Sequence, residues 1–131
     1  MKASLLYHFL SDKISLNLFK TEISDEISNF RITLRNYKKA GSIPILIEDD
    51  LAFIFEITYL QKLCNHYLAK ELDEVELEYI SDCVILRVPD YYENDELIDF
   101  LESLTDSKVN GKVNKDRIIR IKNQLLTNQN L

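Results

Sequence analysis

The stretch DDLAFIFEITYLQKLCNHYLAKEL, residues 49–72, decides the fold that this sequence predicts. Its apolar residues recur at steps of four and three, which places one set on a single helical face: Phe53, Ile57, Leu60, Cys64 and Tyr67. Further apolar residues widen that face until little polar surface is left, as in a buried helix. Polar interruptions and a length of about 20 residues favour a core helix over a membrane span. We therefore expect a central buried helix over residues 50–70, begun by Asp49 as its N-cap.

Amphipathic patterns on both sides of this stretch predict the other helices. The whole chain has only two Gly and two Pro, so it contains few residues that break a helix. The expected helices are one or two within residues 1–20, one from Thr21 or Ser24 to Gly41, one from Asp73 to Arg87, one from Asn94 or Asp95, and one from Asn114. The run at residues 43–47 reads as an extended connector. The sequence thus predicts an all-α, single-domain bundle of five to six helices over residues 1–131, with residues 127–131 as a frayed tail.

Acidic residues line up on the outer faces of two of these helices. One row is Glu74, Glu78 and Asp82, and the other is Asp95, Asp99, Glu102 and Asp106. Like charges at this spacing weaken their own helix by a few tenths of a kcal/mol per pair. The net charge of −6 is also unevenly placed, since residues 71–106 carry thirteen acids against the single base Arg87 and the C-terminal helix is basic. The rows are either solvated faces or a surface for a cationic partner.

The sequence shows no catalytic, cofactor or metal motif. Glycine occurs only at positions 41 and 111, which excludes the Gly-rich phosphate loops. His8 and His66 lie in no ligand-spaced motif and read as helix surface residues. Cys64 and Cys83 read as reduced core thiols. A hard divalent cation on the acidic rows is an alternative, but we expect no enzyme and no metal.

A family resemblance begins at residues 78–82, which read EYISD. An apolar run over Cys83–Leu86 follows, and then Leu97–Leu104, Asp106, the Asn110-Gly111 turn and a closing helix. This C-terminal half resembles small helical immunity proteins of bacterial polymorphic toxins, including contact-dependent growth inhibition systems, with MafI-like proteins the nearest. The resemblance implies a cytoplasmic protein that occludes a cognate basic toxin domain, often a nuclease, without turnover.

The charge pattern and the resemblance together predict a toxin inhibitor. Its expected partner-binding residues are Glu74, Glu78, Asp82, Tyr91, Tyr92, Asp95, Asp99 and Glu102, with the tyrosines as anchors unless one ring packs on the core. Reversing Glu78 and Asp82 is expected to weaken toxin binding without unfolding the domain. Two rivals stay open: a regulatory or adaptor protein that forms homo-oligomers, and an acidic nucleic-acid mimic. Nucleic acid and membrane are not expected as partners.

Overall fold

The computed structural model describes residues 1–36, 47–86, 92–105 and 110–129. Regular structure in these ranges is helical, apart from two isolated parallel bridges that join Lys2 to Glu48 and Phe55 to Tyr92. The described ranges contain seven helices: α1 Ala3–Leu10, α2 Leu16–Glu22, α3 Ser24–Asn36, α4 Ile57–Leu68, α5 Glu74–Leu86, α6 Glu96–Ser103 and α7 Lys115–Gln129. The expected all-α class is confirmed for the described ranges, where the helices outnumber the five to six expected.

Residues 1–22 contain two helices, α1 and α2. The Ser15 hydroxyl accepts a hydrogen bond from the N–H of Leu18 at 3.1 Å, so Ser15 is the N-cap of α2. Ser11 and Asp12, which are also residue types that can cap a helix, instead end α1, where Asp12 takes a left-handed backbone with φ of 64°. Only one residue, Ile23, separates α2 from α3.

The expected central helix over residues 50–70 is wrong at its N-terminal end, because α4 begins at Ile57. From Ala52 to Ile57 burial alternates residue by residue, with the rings of Phe53 and Phe55 inside and the side chain of Ile54 outside. This period of two is that of an extended chain. The expected cap, Asp49, therefore begins no helix.

The most enclosed helix is α5 rather than α4. Eight of its thirteen residues are buried, whereas α4 buries four of twelve along one face. Helix α5 contacts α3, α4 and α6, so neighbours cover it from several directions. Its own capping box fixes its start: Asp73 accepts from the N–H of Glu76 at 2.8 Å, and Glu76 accepts from the N–H of Asp73 at 3.0 Å.

One cluster of buried side chains receives residues from all seven described helices, with Phe9, Phe19, Leu60 and Ile80 among the fully enclosed ones. Helix α7 packs on α4 and extends through Gln129, which includes the first residues of the expected frayed tail. Several positions used in the sequence analysis lie outside the described residues: Gly41, residues 43–46, Arg87, Tyr91, Asp106 and residues 130–131.

Candidate partner-binding surface

Helix α6 presents three acidic side chains to solvent, which we call the acidic ridge: Asp95, Asp99 and Glu102. The Asn94 side chain accepts from the N–H of Leu97 at 3.3 Å and so helps to begin the helix. Leu97 and Leu101 are fully buried on the opposite face, and this fixes the rotation that turns the ridge outward. No basic residue lies in the last turn of α6 to offset its dipole.

Several acids elsewhere in the described ranges have ion-pair partners within the chain, and in this they differ from the acidic ridge. Asp73 is held by Arg31 at 2.5 Å, Glu76 by Lys20 at 3.4 Å, and Asp12 by Lys62. In the described part of the chain, no ion pair joins a lysine or arginine to any of the three ridge carboxylates. The carboxylates therefore remain available to a cation from outside.

The other predicted acidic row does not form an outward face. Glu74 is exposed, but Glu78 is only 7% exposed and Asp82 is half-buried. Both Glu78 and Asp82 also have interactions within the chain. Three neighbouring helices cover α5, so side chains on more than one of its faces are buried. The carboxylates of Glu78 and Asp82 are covered for this reason.

Tyr92 is a structural residue in this fold. Its hydroxyl donates to the carbonyl oxygen of Val84 at 3.1 Å, and its ring meets the buried ring of Phe55 edge-on with centroids 6.2 Å apart. The side chain is half-buried. Tyr92 thus holds its segment against α5 and the extended segment before α4, while Tyr91 lies outside the described residues.

The sequence predicts a basic C-terminal helix, and the structure adds that apolar side chains alternate with two of its lysines, of which Lys115 is exposed and Lys122 is half-buried. On α7, Lys115, Ile119, Lys122 and Leu126 follow one another at steps of four and three, and we call them the basic stripe. Lys115 also borders an open cavity of about 250 Å³ whose apolar lining is Tyr67, Leu68 and Leu72. The signal was present as alternation of lysine and aliphatic residues, but Ile119 reads equally well as a core position until α4 is seen to occupy another face.

The two cysteines are free and fully buried. Burial raises the pKa of both the Cys64 and the Cys83 thiol to about 12, so neither is a thiolate nucleophile at neutral pH. His66 lies 3.4 Å from Glu71 through its Nδ1 atom. Within the described ranges, no group of three or more His, Cys, Asp or Glu side chains is arranged to hold a metal ion.

In the parts of the chain that are described, no helix combines the length and apolar character needed to cross a bilayer. Comparison of the chain with models of known protein families, with curated proteins and with solved structures gave no match. The resemblance to immunity proteins therefore rests on the residues quoted above.

Proposed function

We propose that this protein is an immunity protein that binds a cognate basic toxin domain stoichiometrically and blocks it without turnover. The observation that carries the proposal is the acidic ridge on α6, whose carboxylates are exposed and have no ion-pair partner among the described residues. Repulsion between like charges at i, i+4 and i+7 costs a few tenths of a kcal/mol per pair, although Asp95 and Asp99 lie at the N-terminal end of α6, where negative charge suits the helix dipole. An external cationic surface would offset that cost.

Charge complementarity fits an inhibitor that must capture its target quickly. A row of fixed charges steers a basic partner during diffusion and raises the association rate, more so at low salt. The row from Asp95 to Glu102 spans seven residues of helix, about 10 Å, which is a compact central patch for an interface. Bound there, the inhibitor would cover the toxin's active site or the surface that holds its substrate.

The fold reduces the number of residues that we propose to bind the partner. The acidic ridge stays, and Glu74 stays as an exposed carboxylate at the start of α5. Glu78, Asp82 and Tyr92 leave the set, because they make contacts inside the molecule. The burial of Glu78 also weakens the nucleic-acid mimic, which requires two outward rows of charge.

The proposal predicts that a toxin domain is encoded immediately upstream of this protein's gene, and that domain is the probe for the test. We expect that co-expression of this chain restores growth to cells that produce the domain, and that the two purified proteins form a 1:1 complex by light scattering. Asp99→Lys combined with Glu102→Lys should abolish protection, whereas Glu22→Lys, an exposed charge reversal on α2, should not. Absence of a toxic domain there, or of a complex with it, contradicts the proposal.

A further inference from the structure

The extended segment before α4 has two edges, and only one of them is seen to be paired. The carbonyl oxygen of Phe55 accepts a hydrogen bond from the N–H of Glu93 at 3.0 Å, and Phe55 forms a parallel bridge with Tyr92. Along an extended chain, successive residues direct their N–H and C=O groups to opposite edges. The backbone groups of Ala52 and Ile54 therefore point to the edge that faces away from Tyr92, which we call the open edge.

The open edge is exposed and unpaired within the described ranges. No hydrogen bond there engages the backbone N–H or C=O of Ala52 or Ile54. The side chain of Ile54 is 58% exposed, the largest value among the exposed large apolar side chains of the described residues. Unpaired N–H and C=O groups beside an exposed β-branched side chain form a template on which a further strand can pair.

Acidic side chains flank the extended segment that carries the open edge. Glu48, Glu56 and Glu93 are exposed, and no ion pair in the described part of the chain neutralises any of them. The base Lys2 lies beside Glu48 through a parallel bridge and offsets part of this charge. A strand that pairs here is therefore favoured when it carries lysine or arginine side chains.

The open edge lies near the start of the acidic ridge. Glu93 pairs with the extended segment, and Asp95, the first residue of the ridge, follows it by two positions. Neighbouring strands lie about 5 Å apart, so a strand added at the open edge would lie about 10 Å from residues 92–93. A small domain is about 30 Å across, so one partner can cover both the ridge and the open edge.

We propose that the open edge takes an extended, lysine- or arginine-bearing segment of the toxin domain as an added strand. The inference rests on the proposed function and states how that partner is held. Backbone N–H and C=O groups of the partner pair with those of Ala52 and Ile54, and its basic side chains meet the flanking carboxylates. Backbone pairing supplies affinity, whereas the carboxylates select the sign of the partner's charge.

Amide hydrogen exchange measures this pairing directly. In the protein alone, the Ile54 amide should exchange rapidly, whereas the Glu93 amide, which donates to Phe55, should be protected. In the complex with the basic toxin domain that the proposed function predicts, protection of the Ile54 amide should rise by at least about tenfold. A protected Ile54 amide in the protein alone, or an unprotected one in the complex, overturns the inference.

Proline at position 54 gives a complementary test, because it removes an N–H that makes no hydrogen bond within the described ranges. Proline suits an extended edge position whose N–H faces solvent, so Ile54→Pro should fold, as circular dichroism can verify. It should weaken toxin binding by about tenfold, since it removes a donor and blocks the approach of a second strand. Ile54→Val keeps both the N–H and a β-branched side chain and should bind within about twofold of wild type. Equal binding by Ile54→Pro and wild type overturns the inference.

The outcomes separate this inference from the proposed function. A toxin domain that binds, and loses affinity when Asp99 and Glu102 are reversed, but leaves the Ile54 amide unprotected contradicts the added strand alone. A chain that forms no complex with that domain contradicts both. The exchange measurement stays decisive if Ile54→Pro does not fold.

Discussion

At the scale of single residues, the acidic side chains of this protein fall into two groups. Some accept hydrogen bonds from the protein's own backbone, and others face solvent. Asp50 accepts hydrogen bonds from the backbone N–H of Ser4 at 2.9 Å and from its hydroxyl at 2.6 Å, and so caps the start of α1 from a distant segment. Glu93 likewise accepts from the N–H of Ile57 at 2.7 Å at the start of α4. These contacts separate structural acids from the acidic ridge.

Asp50 makes the stability of the fold depend on pH in a defined range. The hydrogen bonds from Ser4 hold the pKa of Asp50 below its ordinary value of 3.8. A depressed folded-state pKa stabilises the protein above the unfolded-state pKa, and the contribution disappears as pH falls through the folded-state value. Asp50→Asn should therefore unfold at lower urea than wild type at pH 7, and the difference should close as pH drops below 3.8. A difference that stays constant down to pH 2.5, or that equals the effect of the exposed control Glu22→Gln, contradicts this role.

Lys70 offers a second prediction at this scale. Both α1 and α4 end in the same motif, in which the sixth N–H returns to a histidine carbonyl: Lys13 to His8 and Glu71 to His66. The residue before each donor has a left-handed backbone, with φ of 64° at Asp12 and 62° at Lys70.

Glycine adopts a left-handed backbone without steric cost, so Lys70→Gly should raise the free energy of unfolding by about 0.5–1 kcal/mol in urea denaturation. Asp12→Gly is the matched comparison and should gain less, because it loses the contact with Lys62. Destabilisation by Lys70→Gly would show that the lysine side chain contributes more than the backbone strain removes.

At the scale of elements, the sequence predicts a helix best where the helical repeat of its apolar residues alone determines which side chains are buried. Helix α7 begins after Asn114, whose side chain accepts from the N–H of Arg117 at 2.9 Å, and buries Ile118, Ile121 and Leu125, which follow one another at steps of three and four. Residues 52–56 are extended although the sequence predicts a helix there. Ala52 and Ile54 are apolar but face outward, so the alternation of buried and exposed positions does not show in the sequence. The contact between Ser4 and Asp50 joins residues 46 positions apart, so no local pattern indicates it.

The two predicted acidic rows differ in the same way: the helical repeat determines exposure on α6, and tertiary packing determines it on α5. Helix α6 packs one leucine face inward, and its period alone predicts an outward ridge. Helix α5 is covered by three neighbours, and tertiary packing there overrides the expected outer face. The sequence therefore predicts the outward row on α6. It does not predict the covered row on α5, because that burial depends on contacts with other helices.

Glu74 and Glu78 provide a matched test of this reading, since they lie one turn apart on α5. Glu78 is buried and engaged within the molecule, so Glu78→Lys places a reversed charge in the interior and should cost about 3 kcal/mol or more of stability. Glu74 is exposed, and Glu74→Lys should change the free energy of unfolding by less than about 0.5 kcal/mol. Equal effects in chemical denaturation would contradict the burial of α5.

At the scale of the whole molecule, acids that stabilise the fold occupy different positions from acids that face solvent. Acids near helix starts and beside lysine or arginine hold the fold together, while the acidic ridge has no ion-pair partner among the described residues.

The most direct test of the central claim is calorimetric titration of the proposed partner, a basic toxin domain expected to be encoded immediately upstream, into three forms of this protein. The account predicts 1:1 binding to wild type, at least a hundredfold weaker binding to Asp99→Lys combined with Glu102→Lys, and little change for Glu22→Lys. Wild-type affinity should also fall as salt is raised. Binding that is equally tight with the ridge reversed, or that is insensitive to salt, would contradict the claim that these carboxylates meet a cationic surface on the toxin.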